Sequence, residues 1–126
     1  MARACALLVL SLACAPAWAQ AGAACRTGGT VEEVNACAVQ DFQAADTAIA
    51  VLYGDVMRAL SAHERPQLRQ EQGAWQRERT ARCKQATRAT EQQAEGPRLY
   101  HECLTRETQQ RRRGLMRWLS ADTPAK

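Results

Sequence analysis

One short stretch combines the residue types best suited to chemistry, because Trp75, Arg79 and Cys83 follow one another at intervals of four. On a helix this spacing places an indole, a guanidinium and a sulfur on one face. Tryptophan and cysteine are usually buried and arginine is usually exposed, so a buried Arg79 would need a carboxylate partner. Such an ion pair could serve catalysis, but the sequence places no nucleophile or poised base beside it. We therefore interpret Arg79 as a residue that stabilises the fold.

A carboxylate at the matching height is supplied by Asp46, which lies in an otherwise small and apolar stretch. If the first helix turns back near residue 64, Asp46 lies about 18 residues before that turn and Arg79 about 15 residues after it. At roughly 1.5 Å per helical residue, their heights differ by about 5 Å. Arg106 falls near the same level in a third helix. The sequence therefore predicts a structural polar core of Asp46, Arg79, Arg106, Gln72 and Trp75.

Three helices position these residues in the predicted fold. Thr30 and Glu33 match a capping box, and apolar residues then recur at steps of three and four up to residue 60. Pro66 suits the first turn of a second helix, which is expected to fade over residues 90–95 and to end at Gly96. A third helix is expected to start at Pro97. Since no alternating strand pattern appears, the sequence predicts an all-α, antiparallel three-helix bundle stapled by two disulfides.

The first residues have the features of a secretory signal peptide. An apolar run follows Arg3, and the small residues Ala17 and Ala19 flank Trp18 in the pattern of a cleavage site. The run is too short to span a bilayer, so no transmembrane segment is expected after cleavage. We predict a signal peptide over residues 1–19 and a single domain over residues 20–126, with a core over about residues 25–119. Loss of Arg3 and of no acidic residue would lower the formal net charge from +4 to +3.

Cysteine usage indicates an oxidising compartment. The chain has 6 cysteines, of which Cys5 and Cys14 lie in the predicted signal peptide. The others are Cys25, Cys37, Cys83 and Cys103. An even number of cysteines in a small exported domain predicts two disulfides, and the lack of a close C-x-x-C pair argues against a zinc site. We therefore expect no metal and no cofactor, and a periplasmic or secreted location.

The heights of the cysteines favour one disulfide pairing. Cys83 lies about 7 residues before the second turn and Cys103 about 6 residues after it, so the two are level on adjacent helices. Cys25 would then pair with Cys37, and two glycines between them would let the chain fold back. In the alternative pairing, Cys25 joins Cys83 and Cys37 joins Cys103, which requires helix ends shifted by only a few residues. Both pairings stay open, and the first is favoured.

Together these features resemble the LprI-like family, a group of small exported bacterial proteins with four cysteines. The matching motifs are Asn35-Ala-Cys37, Ala45-Asp46 with Tyr53, Gln72-x-x-Trp75-x-x-x-Arg79-x-x-x-Cys83, and Cys103-Leu-Thr-Arg106 with Leu115. They extend over nearly the whole predicted mature chain. The resemblance implies an envelope or secreted location and, through the named member of the family, inhibition of lysozyme.

The end of the third helix is strongly basic, with Arg111, Arg112, Arg113 and Arg117 close to Trp118. The helix dipole favours cations near a helix C-terminus, so a solvated helical face would explain the cluster without any partner. The functional interpretation is a basic binding patch that attracts anionic lipid headgroups or wall polymers. Nucleic acid is not an expected partner of an exported protein.

Two functional hypotheses follow. The first is an exported, non-enzymatic envelope protein that binds a lysozyme-type protein, as the resemblance implies. The alternative is a structural or adaptor bundle that binds anionic envelope material, either a membrane surface or a wall polymer, through its basic C-terminal helix. The two differ in whether lysozyme is inhibited and in whether anionic surfaces are bound in a salt-dependent way.

Overall fold

The computed structural model describes residues 22–120, which form three α-helices joined by short connections. Helix α1 spans Val31–Ala59, α2 spans Arg65–Ala86 and α3 spans Gly96–Met116. A short 3₁₀ helix, Arg88–Thr90, lies between α2 and α3. No strand occurs within the described residues. The prediction of an all-α three-helix bundle is confirmed, whereas the predicted signal peptide over residues 1–19 lies outside the described residues.

The predicted capping box starts α1. The Glu33 backbone N–H donates to Thr30 Oγ1 at 3.2 Å, and the Thr30 backbone N–H donates to Glu33 Oε2 at 2.8 Å. These bonds satisfy amide groups that have no partner inside the helix. A similar exchange follows α1, where the Ser61 backbone N–H and hydroxyl donate to Glu64 Oε2 at 3.0 and 2.8 Å. The chain therefore reverses into α2 through a short turn held by its own side chains.

Helix α2 ends earlier than the sequence predicts. It stops at Ala86, because the Thr87 backbone leaves the helical region with a φ of −109° and a ψ of 8°. The Thr87 hydroxyl donates to the Cys83 carbonyl at 2.8 Å, and the 3₁₀ helix follows. The prediction that α2 fades only at residues 90–95 is therefore wrong. Gly96 starts α3 instead of ending α2, and a Cβ there would lie 2.6 Å from the Thr90 carbonyl oxygen.

The core consists of two apolar clusters at different heights. The cluster near the turn between α1 and α2 comprises Ile49, Val56, Leu60, Leu68, Trp75 and Leu115. The other cluster comprises Cys83, Cys103 and Leu104, with Phe42 and Tyr100 packed against it. Arg79 lies between Trp75 and Cys83 on the same face of α2, so a charged residue separates the two clusters.

The two disulfides have the pairing that the sequence favoured. Cys83 and Cys103 join α2 to α3 with a Cα–Cα distance of 5.7 Å, inside the second apolar cluster. Cys25 and Cys37 join the segment before α1 to its second turn with a Cα–Cα distance of 4.5 Å. Gly28 has a φ of +73°, which lets this segment fold back toward the helix. The alternative pairing of these four cysteines is therefore wrong.

Candidate functional site

A polar layer, formed by Asp46, Arg79 and Thr108, crosses the bundle between the two apolar clusters. Arg79 Nη1 donates to Asp46 Oδ1 at 2.7 Å and to Thr108 Oγ1 at 2.9 Å. Thr108 in turn donates to the Leu104 carbonyl at 2.7 Å. Arg79 is 8% exposed, whereas the Asp46 side chain is 45% exposed. The layer therefore joins all three helices and runs from the core to the surface.

Two aromatic rings enclose the Arg79 guanidinium. Its Cζ lies 5.1 Å from the centre of the Phe42 ring and 4.7 Å from that of Trp75. Cation–π contacts of this kind gain strength when the cation is removed from water. Arg79 is thus held by a carboxylate, a hydroxyl and two rings, an arrangement that fixes its position instead of leaving it available to a ligand.

A second arginine, Arg111, packs over the Trp75 ring, and its side chain is largely buried. Its Cζ is 5.6 Å from the Trp75 ring centre, its Nε donates to Gln72 Oε1 at 2.9 Å, and its Nη2 lies 2.8 Å from Glu71 Oε1. The side chain is 9% exposed. The prediction that Arg111 belongs to a basic binding patch therefore differs from the structure, because its position on α3 faces α2. Gln72 is buried in this contact, as expected of a residue on the Trp75 face.

Arg106 lies apart from the polar layer, contrary to the sequence-based expectation. Its side chain is exposed, whereas Thr108 is fully buried and bonds Arg79. Two residues correspond to about 200° around a helix, so Arg106 and Thr108 point to opposite sides of α3. Phe42 and Thr108 were the two contacts of Arg79 that sequence reasoning missed. The recurrence of Leu104, Thr108 and Leu115 at helical spacing could have identified Thr108 as an inward-facing residue.

The remaining arginines of α3 are exposed. Arg106, Arg113 and Arg117 follow one another at intervals of seven and four on the side of α3 that faces away from the core, and we call them the outer arginine row. Arg112 lies to one side, where it lines a groove of about 460 Å³ between α1 and α3 together with Asp41. The sequence assigned Arg112, Arg113 and Arg117 to a basic patch. All three are at the surface, but Arg112 lies on a different face from the other two.

The perturbed pKa values lie on the surface, away from the polar layer. Hydrogen bonds from Ser61 lower the pKa of Glu64 below its ordinary value of 4.5. A hydrogen bond to Glu107 raises the pKa of Arg82 above its ordinary value. Within residues 22–120, no three or more histidine, cysteine, aspartate or glutamate side chains cluster in a way that could hold a metal ion. None of the three helices is long and apolar enough to cross a membrane.

Comparison with known proteins identifies the family. A family model described as lysozyme inhibitor LprI matches residues 22–115, a span that includes both disulfides, the polar layer and most of α3. No curated protein and no solved structure matches the chain.

Proposed function

Since the chain belongs to the LprI family, we propose that it is an exported, non-enzymatic bacterial envelope protein that binds and inhibits a lysozyme-type enzyme. The observation that carries this proposal is the family match over residues 22–115. That match covers the complete set of helices up to Leu115, so the family relationship concerns the whole bundle and not an isolated motif.

The two disulfides support an oxidising location. Disulfides persist in the periplasm and outside the cell and are rare in the cytosol of most organisms. Cys83 is fully buried and Cys103 nearly so, which suits a bridge with a structural role. A periplasmic or secreted location is therefore part of the proposal, and the predicted signal peptide over residues 1–19 is consistent with it.

The polar layer supports binding instead of catalysis. A catalytic pair needs a nucleophile, acid or base that can reach a substrate. Arg79 Nη1 donates to Asp46 and Thr108 and the guanidinium is enclosed by two rings, so contacts that join helices hold the side chain, although its buried Nε has no hydrogen-bond partner among the described residues. These contacts hold the three helices together, which supports a rigid binding surface.

An inhibition assay tests the proposal. The purified exported protein is titrated into an animal-type lysozyme that acts on a soluble, uncharged chito-oligosaccharide, so that adsorption to an anionic cell wall cannot mimic inhibition. We expect activity to fall to a plateau near one equivalent. Unchanged activity at a large excess of the protein would contradict the proposal. Protein with reduced and alkylated cysteines serves as the unfolded control.

The exposed arginines favour a second candidate function, binding to anionic envelope material as a structural or adaptor protein. Arg112, Arg113 and Arg117 are exposed at the end of α3 and would be attracted to lipid headgroups or wall polymers. Co-sedimentation with anionic vesicles or peptidoglycan at low and high salt tests this candidate. Salt-sensitive sedimentation without lysozyme inhibition would favour it over the inhibitor.

A further inference from the structure

We propose that the outer arginine row of α3, formed by Arg106, Arg113 and Arg117, enters the acidic substrate cleft of the lysozyme-type partner and competes with its substrate. This inference rests on the proposed function, because it assigns the inhibitory surface. Its partner is defined by chemistry: a glycan hydrolase whose cleft carries a pair of carboxyl groups.

The row is available for a partner. Within residues 22–120, none of its three arginines forms an ion pair with a carboxylate, and all three are exposed. Two other arginines of the same helix are committed, since Arg98 lies 2.9 Å from Glu102 and Arg111 lies 2.8 Å from Glu71. Within the described part of the chain, the row is thus free of the ion pairs that hold Arg98 and Arg111.

The position of the row is only partly explained by helix electrostatics. The helix dipole favours cations within the last turn, which accounts for Arg113 and Arg117 near the end of α3 at Met116. Arg106 lies well before that turn, in the middle of the helix, where the dipole gives no such preference. The dipole therefore does not account for Arg106, which the proposal assigns to contact with the partner.

Two neighbouring arginines of the row can reach the two carboxyl groups of a glycosidase cleft. Arg113 and Arg117 are four residues apart, so their Cβ atoms lie roughly 5–6 Å apart on one face. The two catalytic carboxyl groups of a glycosidase are about 5–9.5 Å apart. Guanidinium groups bind carboxylates through paired N–H donors, so two neighbouring arginines can meet two carboxylates at once. A cleft with acidic walls also focuses its field, which would attract this face even when both proteins carry a positive net charge.

The structure also explains how α3 can present the row without deforming. Thr108 and Leu115 are fully buried on the opposite side of the helix, and Cys103 joins it to α2. Met116 is 43% exposed beside the row and can add apolar contact at its edge. A rigid helix loses little conformational freedom on binding, which favours affinity.

Paired substitutions test the inference. Arg113→Gln with Arg117→Gln removes two charges from the row, and Arg69→Gln with Arg77→Gln removes two exposed charges from α2 as a matched control. We expect the row variant to raise the concentration for half-maximal inhibition about tenfold or more, while the control changes it less than about twofold. Replacement of Arg113 and Arg117 by lysine should retain part of the inhibition, because both positive charges remain. Thermal melts establish that all variants are folded.

The kinetic pattern provides a second readout. With the wild-type protein, the apparent KM of the lysozyme should rise while kcat stays constant. This rise in KM should become smaller when the salt concentration is raised from about 0.05 to about 0.5 M, because the screening length then falls about threefold. Two results would overturn the inference but leave the proposed function standing. In the first, the row variant inhibits as well as the wild-type protein. In the second, the wild-type protein lowers kcat and leaves KM unchanged. Absence of wild-type inhibition would overturn both. Loss of vesicle binding by the row variant, with inhibition unchanged, would assign the row to a membrane instead.

Discussion

At the scale of single residues, Arg79 determines how this small core is organised. A buried guanidinium is costly unless its donors find acceptors, and Arg79 has a carboxylate at 2.7 Å and a hydroxyl at 2.9 Å. Asp46 is close to half exposed, so it keeps part of its hydration while it neutralises the charge. The pair is therefore asymmetric: the arginine depends on the aspartate more than the reverse.

The additional contacts of Arg79 predict unequal effects of substitution. Asp46→Ala should lower the free energy of unfolding by about 1–2 kcal/mol, because Thr108 still accepts one bond from Arg79. Arg79→Ala should cost about 3 kcal/mol or more, since it also removes packing from Phe42 and Trp75. The double variant should cost little more than Arg79→Ala alone, because the two residues are in direct contact. Urea denaturation measures all three.

Arg69→Ala is a suitable control, because Arg69 is exposed on the same helix and should change stability by less than about 0.5 kcal/mol. Lysine at position 79 should restore little stability, since it lacks the planar group that stacks between the rings. If the loss of unfolding free energy in the double variant equals the sum of the two single losses, the two residues act independently. That result would contradict the prediction.

At the scale of secondary-structure elements, side-chain hydrogen bonds mark the start of α1 and the turn that follows it. Thr30 and Glu33 start α1, and Ser61 and Glu64 hold the turn into α2, whereas the first residues of α2 and α3 have no side-chain cap. The first of these could be predicted from sequence, because a capping box has a fixed spacing. The end of α2 could not, since Thr87 leaves the helical backbone region in a stretch that has no proline or glycine before Gly96.

The turn between α1 and α2 predicts a pH effect. Hydrogen bonds from Ser61 favour the ionised Glu64 carboxylate, so its pKa in the folded protein lies below 4.5. A depressed folded pKa means that this contribution to stability is present above the unfolded pKa and is lost as pH falls through the folded value. Carboxyl-detected NMR titration should show Glu64 titrating below the ordinary range. In Ser61→Ala its pKa should return toward 4.5, and an unchanged midpoint would contradict the assigned hydrogen bonds.

At the scale of the whole molecule, the sequence predicts what depends on spacing along one helix or on height along the bundle. Three helices, both disulfides and the approach of Asp46 to Arg79 follow from these two quantities. The rotation of α3 is encoded in its apolar spacing, since Arg111 lies seven residues after Leu104 and four before Leu115, but the height of a residue along the bundle does not give the direction of its side chain. That is why Arg106 was expected inward and Arg111 outward, whereas the structure has the first exposed and the second buried against Trp75.

The disulfides should decide the stability of the whole bundle. Large apolar side chains are few, and each bridge typically contributes about 2–4 kcal/mol by limiting the unfolded chain. Reduction should therefore lower the melting temperature sharply. Selective replacement of Cys83 and Cys103 should destabilise the fold more than replacement of Cys25 and Cys37, because the first pair joins two helices within the core. An equal loss for both pairs, measured by thermal melts followed by circular dichroism, would contradict this ranking.

Direct binding tests the central claim, that this bundle is an inhibitor-type binding protein for a lysozyme-type enzyme. Isothermal titration of the disulfide-bonded protein into an animal-type lysozyme should give a saturable complex with one copy of each partner. The apparent affinity should fall when the lysozyme is first saturated with a chito-oligosaccharide, because both ligands then compete for the cleft. Absence of any saturable complex, at protein concentrations up to the millimolar range, would contradict the claim.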